Sequence, residues 1–416
     1  MTGTGADAAA HHLRPGTLNI LPLPPLAVYV HLPWCIAKCP YCDFNSHAAG
    51  PGDLPEGRYL DAVQADLDAA LPLVWGRRVI SVFIGGGTPS LFSPQAIDRL
   101  LALLRSRLPL EAGCEVTLEA NPGTFERDRF RAFRAAGVNR LSIGVQSFDD
   151  AALKRIGRVH DAAQARAAVT EAAAAFDTFN IDLMYALPGQ DLQALRTDLD
   201  QALAFQPPHL SIYHLTIEAN TRFAVEPPQL PDDDSASDML DLLVERGQAA
   251  GLKRYEVSAF AREGHRCVHN LNYWQFGDYL GLGAGAHSKL SFPHRVVRQV
   301  RWREPAAYLR EALAGRAISN EHEVTRADLP FEFMLNAMRL KDGVDLDLFR
   351  ARTGLPFSAI EPALAQAQQR GLLERNDGPA GGGVRPTARG FDFLSDLQAL
   401  FLATPSRRQA MPISRR

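Results

Sequence analysis

Cys35, Cys39 and Cys42 fall within eight residues of one another, in the order Cys35-Ile-Ala-Lys-Cys39-Pro-Tyr-Cys42. Thiolates gathered this closely are ligands for zinc or for an iron–sulfur cluster. A structural zinc site needs four closed ligands, and His31 or His47 would be the fourth. Such sites usually come as two pairs of ligands, and no second cysteine pair follows here. A four-iron cluster held by three cysteines keeps one iron without a protein ligand, and that iron can chelate a small molecule. The other two cysteines, Cys114 and Cys267, stand far away in sequence. Cys114 reads as a small buried residue at a strand start. An odd count of five, behind an N-terminus that lacks the basic and apolar regions of a secretion signal, predicts a reducing, cytoplasmic setting.

Other polar groups recur where strands should end. Gly85-Gly86-Gly87-Thr88-Pro89 follows the second strand. Consecutive glycines let a backbone approach a ligand closely, although a tight turn would use them equally well. Glu119, Gln146 and Asp182 end the third, fourth and fifth strands, and Arg158 follows a short helix. Single carboxylates in such places are often helix caps. Four polar groups on one rim fit a polar ligand better. Tyr29 and Tyr41 flank the cysteines, either as packing or as walls for a cluster or a flat ring.

The elements that must position these residues alternate. Short apolar strands are expected at Ala27–His31, Val79–Ile84, Glu115–Glu119, Arg140–Val145, Asn180–Met184 and Leu210–His214. Helical periodicity marks Arg58–Leu71, Pro94–Arg107, Arg127–Ala136, Asp161–Phe176 and Leu192–Phe205. Repeated β-then-α units imply a parallel sheet with right-handed crossovers. Six of them make an α/β protein, as a partial (β/α)6 TIM-type barrel or an open doubly wound sheet, with its chemistry at the strand C-termini. Pro227–Pro231 interrupts the pattern; a helix (Ala236–Ala249), a strand (Tyr255–Phe260) and Gly277–Gly285 follow, read as an α/β extension covering one edge of the barrel. Helices at Phe331–Met338, Leu346–Arg352 and Ser358–Arg370, then a hairpin from Gly371–Arg375 and Gly381–Arg385, suggest a small winged-helix-like domain. The expected division is a disordered lead-in over 1–25, the barrel over 26–220, the extension over 221–320, the winged-helix-like domain over 321–403 and a basic tail over 404–416.

Composition limits the functions available. The 416 residues are 46% hydrophobic and 22% charged, ordinary for a globular chain large enough to fold without disulfides. The net charge of −3 argues against a nucleic-acid partner. No apolar run approaches membrane-spanning length.

With its CxxxCxxC loop after the first strand, the chain resembles the radical S-adenosylmethionine (SAM) family. The resemblance implies a [4Fe–4S] cluster on Cys35, Cys39 and Cys42, whose open iron binds SAM for reductive cleavage. It also implies that Gly86, Gly87 and Thr88 contact the methionyl end, with Tyr29, Tyr41, Glu119, Gln146, Arg158 and Asp182 around SAM. The stretches Tyr29–His47, Phe83–Phe92, Leu118–Pro122, Leu141–Phe148 and Ile181–Gln190 resemble the coproporphyrinogen dehydrogenase branch. That branch contains the oxygen-independent dehydrogenase and the HemW-type haem chaperones. The dehydrogenase pattern has a fourth cysteine where this chain has Phe44, and a longer N-terminal segment; His269-Asn270-Leu271-Asn272-Tyr273-Trp274 matches the HNxxYW motif of the chaperones. The resemblance to the chaperones therefore implies haem as ligand, with His269 as an axial ligand and Tyr273 and Trp274 as stacking partners. Taken without it, His269 reads as a loop histidine capping a carbonyl. Cys267 is the alternative iron ligand, followed by His265 and His287. Acceptor haemoproteins, membrane-associated ones among them, and a homodimer are the expected partners.

Overall fold

The computed structural model describes residues 18–49, 54–124, 128–376 and 382–402. Near-continuous apolar runs such as Leu26-Ala-Val-Tyr-Val-His-Leu32 suit strands covered on both faces, which parallel sheets require. Six of them pair in parallel and in chain order: β1 (Leu26–Leu32), β2 (Val79–Gly86), β3 (Leu110–Ala120), β4 (Arg140–Gln146), β5 (Thr178–Tyr185) and β6 (His209–His214). Each of the six contains its expected strand, with ends moved by up to five residues. The crossovers run through α1 (Glu56–Val74), α2 (Pro94–Arg107), α3 (Arg129–Ala136), α4 (Asp150–Arg155), α5 (Ala162–Ala175) and α6 (Leu192–Ala204). Capping is built into the sequence: Ser93, Asp149, Asp161 and Asp191 each accept a backbone N–H of the helix that follows.

The barrel does not close. Beyond β6 the sheet continues through the antiparallel hairpin β7 (Lys253–Arg254) and β8 (Ala259–Ala261), reached by α7 (Asp233–Ala249). Beyond β1 it continues through β9 (Asp278–Leu282), parallel to β1, and then antiparallel through β10 (His287–Phe292), β11 (Arg295–Arg301) and β12 (Ile318–Glu323). The expectation of an extension on one edge is thus corrected: the segment serves both edges. The single strand expected over Tyr255–Phe260 is a hairpin turning through those residues. Between β8 and β9 the chain must recross the open mouth of the sheet, and α8 (Val268–Trp274) makes that crossing.

A second apolar core gathers Phe333, Met334, Phe349, Leu364 and Val384 from α9 (Leu329–Ala337), α10 (Leu346–Thr353), α11 (Glu361–Gln369) and a three-stranded sheet of β13 (Val344–Asp345), β14 (Leu373–Asn376) and β15 (Gly383–Pro386). Leu18 and Ile20 are buried in this core, and their backbone N–H groups donate to His294 and Pro293. The disordered lead-in is corrected accordingly: residues 18–25 form an ordered strap, while 1–17 and the tail 404–416 lie outside the described residues. Among the described residues no helix is long and apolar enough to cross a membrane.

Candidate cofactor site

The cysteine loop leaves β1 and is held from several sides. Trp34–Cys35 pairs with His47–Ala48 as a two-residue ladder, so the loop closes on itself. The β2 end packs under it, with Gly87 N–H donating to Leu32 (2.8 Å) and Thr88 N–H to Trp34 (2.7 Å). A Cβ on Gly87 would stand 2.5 Å from the Trp34 carbonyl oxygen, so only glycine allows this approach. Asn45 Nδ2 donates to the carbonyls of Ala284 (2.9 Å) and Arg303 (2.8 Å), fastening the loop to the β9–β10 turn and the chain beyond β11.

Cys35, Cys39 and Cys42 are half-buried and line one cavity of about 250 Å³. Gly86, Gly87, Thr88, Tyr41, Glu119, Gln146, Arg158 and Asp182 line the same cavity. The structure therefore brings together the expected rim, with the exception of Tyr29. Gly157 adopts φ +70°, and a Cβ there would meet Pro40 Cδ at 2.5 Å. That contact brings the next residue against the loop: Arg158 donates to the Gly144 carbonyl (2.7 Å), and its other terminal nitrogen lies 3.6 Å from Cys39 Sγ. Among the described residues, Arg158 Nε is buried without a hydrogen-bond partner.

The electrostatics follow from burial. Glu119 Oε2 accepts the Gly86 N–H (3.1 Å), and burial with the nearby Asp182 pushes its carboxyl up to about 8. Glu119 is therefore protonated at neutral pH. Burial also raises Asp182, to about 6, against hydrogen bonds from Asn180 (2.7 Å) and Ser142 (3.1 Å).

Further wall residues escaped the sequence reading: Arg140, Ser142 and Gly144 on β4, Asn180 and Met184 on β5, Ser211 and Tyr213 on β6. Their signal was present. Arg140, Ser142, Gly144 and Gln146 alternate, as do Asn180, Asp182 and Met184, and a period of two places each set on one face.

The residues fit a cluster better than zinc. His31 has both ring nitrogens engaged: Nε2–H donates to the Asn45 carbonyl (2.8 Å), leaving Nδ1 to accept from the Tyr29 hydroxyl (3.0 Å). His47 Nε2 pairs with Asn45 Oδ1 (3.2 Å). Among the described residues no three His, Cys, Asp or Glu side chains converge as a single ion would need. Three thiols lining one cavity, with an arginine beside them and a polar rim, suit a cluster and an amino-acid ligand.

A second cavity, about 670 Å³, adjoins the first. The two share Phe44, Phe83, Gly86, Glu119 and Asn270 as wall residues. The second is aromatic, with Tyr29, Tyr273, Trp274 and Tyr279 among its lining residues. Tyr273 and Tyr279 stack at 4.6 Å, and the Tyr279 hydroxyl donates to that of Tyr273 (2.9 Å). Tyr29 is thus corrected from the first cavity to the second.

His269 lines the second cavity from α8. Glu115 on β3 caps that helix, accepting the N–H groups of Val268 (3.1 Å) and His269 (3.0 Å). His269 Nδ1 meets Ser81 Oγ at 3.1 Å, and the ring lies 5.0 Å from that of Phe83. The reading of His269 as a carbonyl cap is therefore set aside. Burial holds its imidazole down at about 3, neutral at any physiological pH. Cys267 lies on the far side of the helix start, fully buried, its thiol 3.5 Å from Glu115 and pushed up to about 12 by burial. It lines neither cavity and is removed as an iron ligand. His265 pairs with Thr178 (3.0 Å) at the start of β5 and is removed too, whereas His287 does line the second cavity. Cys114 is buried, as expected.

A parallel half-barrel with three cysteines on the loop after its first strand defines a radical SAM protein, and residues 29–202 match the radical SAM superfamily. Residues 324–393 match the HemN C-terminal domain. Heme chaperone HemW of Escherichia coli (strain K12) is 47% identical over 383 residues, covering 92% of this chain and 99% of that protein. Heme chaperone HemW of Haemophilus influenzae is 46% identical over 387 residues, covering 91% and 98%. The chain belongs to the HemW family of radical SAM proteins. Coproporphyrinogen III oxidase (HemN) from Escherichia coli, a radical SAM enzyme, shares the fold with a TM-score of 0.78 at 24% identity, over 96% of this chain and 93% of that one.

Proposed function

We propose that this protein is a haem chaperone: it binds a [4Fe–4S] cluster, SAM and haem, and passes haem to acceptor haemoproteins. The observation that carries the reading is the aromatic second cavity, with the neutral imidazole of His269, sharing a wall with the cysteine cavity. The bound cluster supplies one iron open to the amino-acid end of SAM. Cys35, Cys39 and Cys42 hold it, Gly86, Gly87 and Thr88 face the methionyl end, and Arg158 faces the carboxylate. Glu119, Gln146 and Asp182 take the polar groups of the ligand beside Tyr41. Haem lies between Tyr273, Trp274 and Tyr29, so that most of its binding comes from burying a flat apolar ring. His269 ligates its iron through Nε2, with Ser81 on Nδ1 fixing the ring as metal-bound imidazoles require. Phe44 puts an exposed phenyl ring, with no donor atom, at the junction of the cavities. Five free cysteines suit a reducing, cytoplasmic location. The acceptors include membrane-associated haemoproteins, and the working form is a homodimer.

The test is direct. Reduced, cluster-loaded protein incubated anaerobically with SAM and coproporphyrinogen should yield no protoporphyrinogen, and should bind about one haem per chain. Turnover would transfer the protein to the oxidative decarboxylases.

A further inference from the structure

Three histidines line the second cavity, and they differ in what their ring nitrogens already do. His31 has both engaged, with Asn45 and Tyr29. His269 has Nδ1 engaged by Ser81, is only 8% exposed, and keeps Nε2. His287, the first residue of β10, is exposed, and among the described residues its ring has no hydrogen-bond partner. The cavity therefore offers one anchored imidazole at depth and one unanchored imidazole at its surface.

We propose that His287 is a second iron ligand for haem in this cavity, paired with His269. The inference rests on the haem-chaperone reading. A carrier must hold haem against loss and still release it to an acceptor. An imidazole whose second nitrogen is hydrogen-bonded keeps its orientation and stays on the metal. An imidazole without that restraint leaves more readily, and its departure opens one axial position to a ligand from the acceptor. His287 sits where such a ligand would enter, because it is exposed to solvent while lining the same space as Tyr273 and Tyr279. No electron or proton need be supplied: the iron–His287 bond breaks as the acceptor's ligand bonds the iron, and the iron–His269 bond breaks last, as the haem leaves the cavity.

The experiment uses the full, cluster-loaded chain with ferric haem. Optical and electron paramagnetic resonance spectra should show low-spin, six-coordinate haem in the wild type. His287→Ala should convert it to high-spin haem and speed its transfer to apomyoglobin on the order of tenfold, about 1.4 kcal/mol of retention. Added imidazole should restore the low-spin signal. Because His287 is exposed, the cluster absorption should persist; His287→Asn should behave alike and guards against a folding defect. Low-spin haem in His287→Ala with unchanged transfer, or high-spin haem in the wild type, overturns the inference and leaves the chaperone reading standing. A wild type that binds no haem removes both.

Discussion

Ser81 Oγ lies 3.1 Å from Nδ1 of His269, tying the first half of β2 to the helix that recrosses the open barrel. The two residues are 188 positions apart, and both are buried. This contact sets which nitrogen of His269 can face a ligand, while Glu115 fixes the start of the same helix. Geometry for the second cavity is thus written on strands that also build the first.

Ser81→Ala should lower haem affinity severalfold, the scale of one hydrogen bond, about 1 kcal/mol. His269→Ala should lower it further. Both variants should keep the visible absorption of the cluster. Haem titrations on cluster-loaded protein measure the pair, and unchanged binding in Ser81→Ala would remove it as a positioning residue.

Replacing Cys35, Cys39 or Cys42 singly by Ala should abolish the visible absorption of reconstituted protein. Cys267→Ala should leave it intact, since that thiol lines neither cavity. Iron and sulfide analysis decides: a full four-iron complement in any of the first three would refute the ligand set.

Arg158→Ala should weaken SAM binding by about 1.5–3 kcal/mol, as expected for losing a hydrogen bond to a charged group. Isothermal titration on cluster-loaded protein reads this directly. Lysine in its place should recover only part, because it cannot donate to the Gly144 carbonyl and a ligand in the same fork geometry.

Stability should peak near neutrality, for opposing reasons on either side. Burial lowers His31 and His160 to about 4 and His269 to about 3, from 6.5. Through that window the unfolded chain binds more protons, so their contribution rises with pH and is complete near 6.5. Glu119 runs the other way: its folded value of about 8 exceeds 4.5, so the folded state holds the extra proton and stability falls as pH rises towards 8. Thermal melts from pH 6.5 to 8 should therefore decline for the wild type and flatten for Glu119→Gln. Parallel curves would refute the protonated Glu119.

Much of this protein is legible along the chain because it is local. The CxxxCxxC spacing places three thiols on one short loop, and apolar runs alternating with helical periods define six parallel strands, since hydrophobic period and capping act within a dozen residues. Even the cavity walls were encoded, since Arg140, Ser142 and Gln146 on β4 and Asn180 and Asp182 on β5 share a face at a period of two. What the sequence could not decide is which distant segments meet. The ring of Tyr29 turns towards the second cavity because its hydroxyl bonds His31. Cys267 and His269, two residues apart, part company because a helix beginning at Val268 puts them on different sides, one against Glu115 and Arg140, the other against Ser81 and Phe83. The chain from Tyr255 to Glu323 divides between the two edges of the sheet because an unclosed barrel leaves both edge strands with unpaired backbone groups, and either can be satisfied only by a strand arriving from elsewhere.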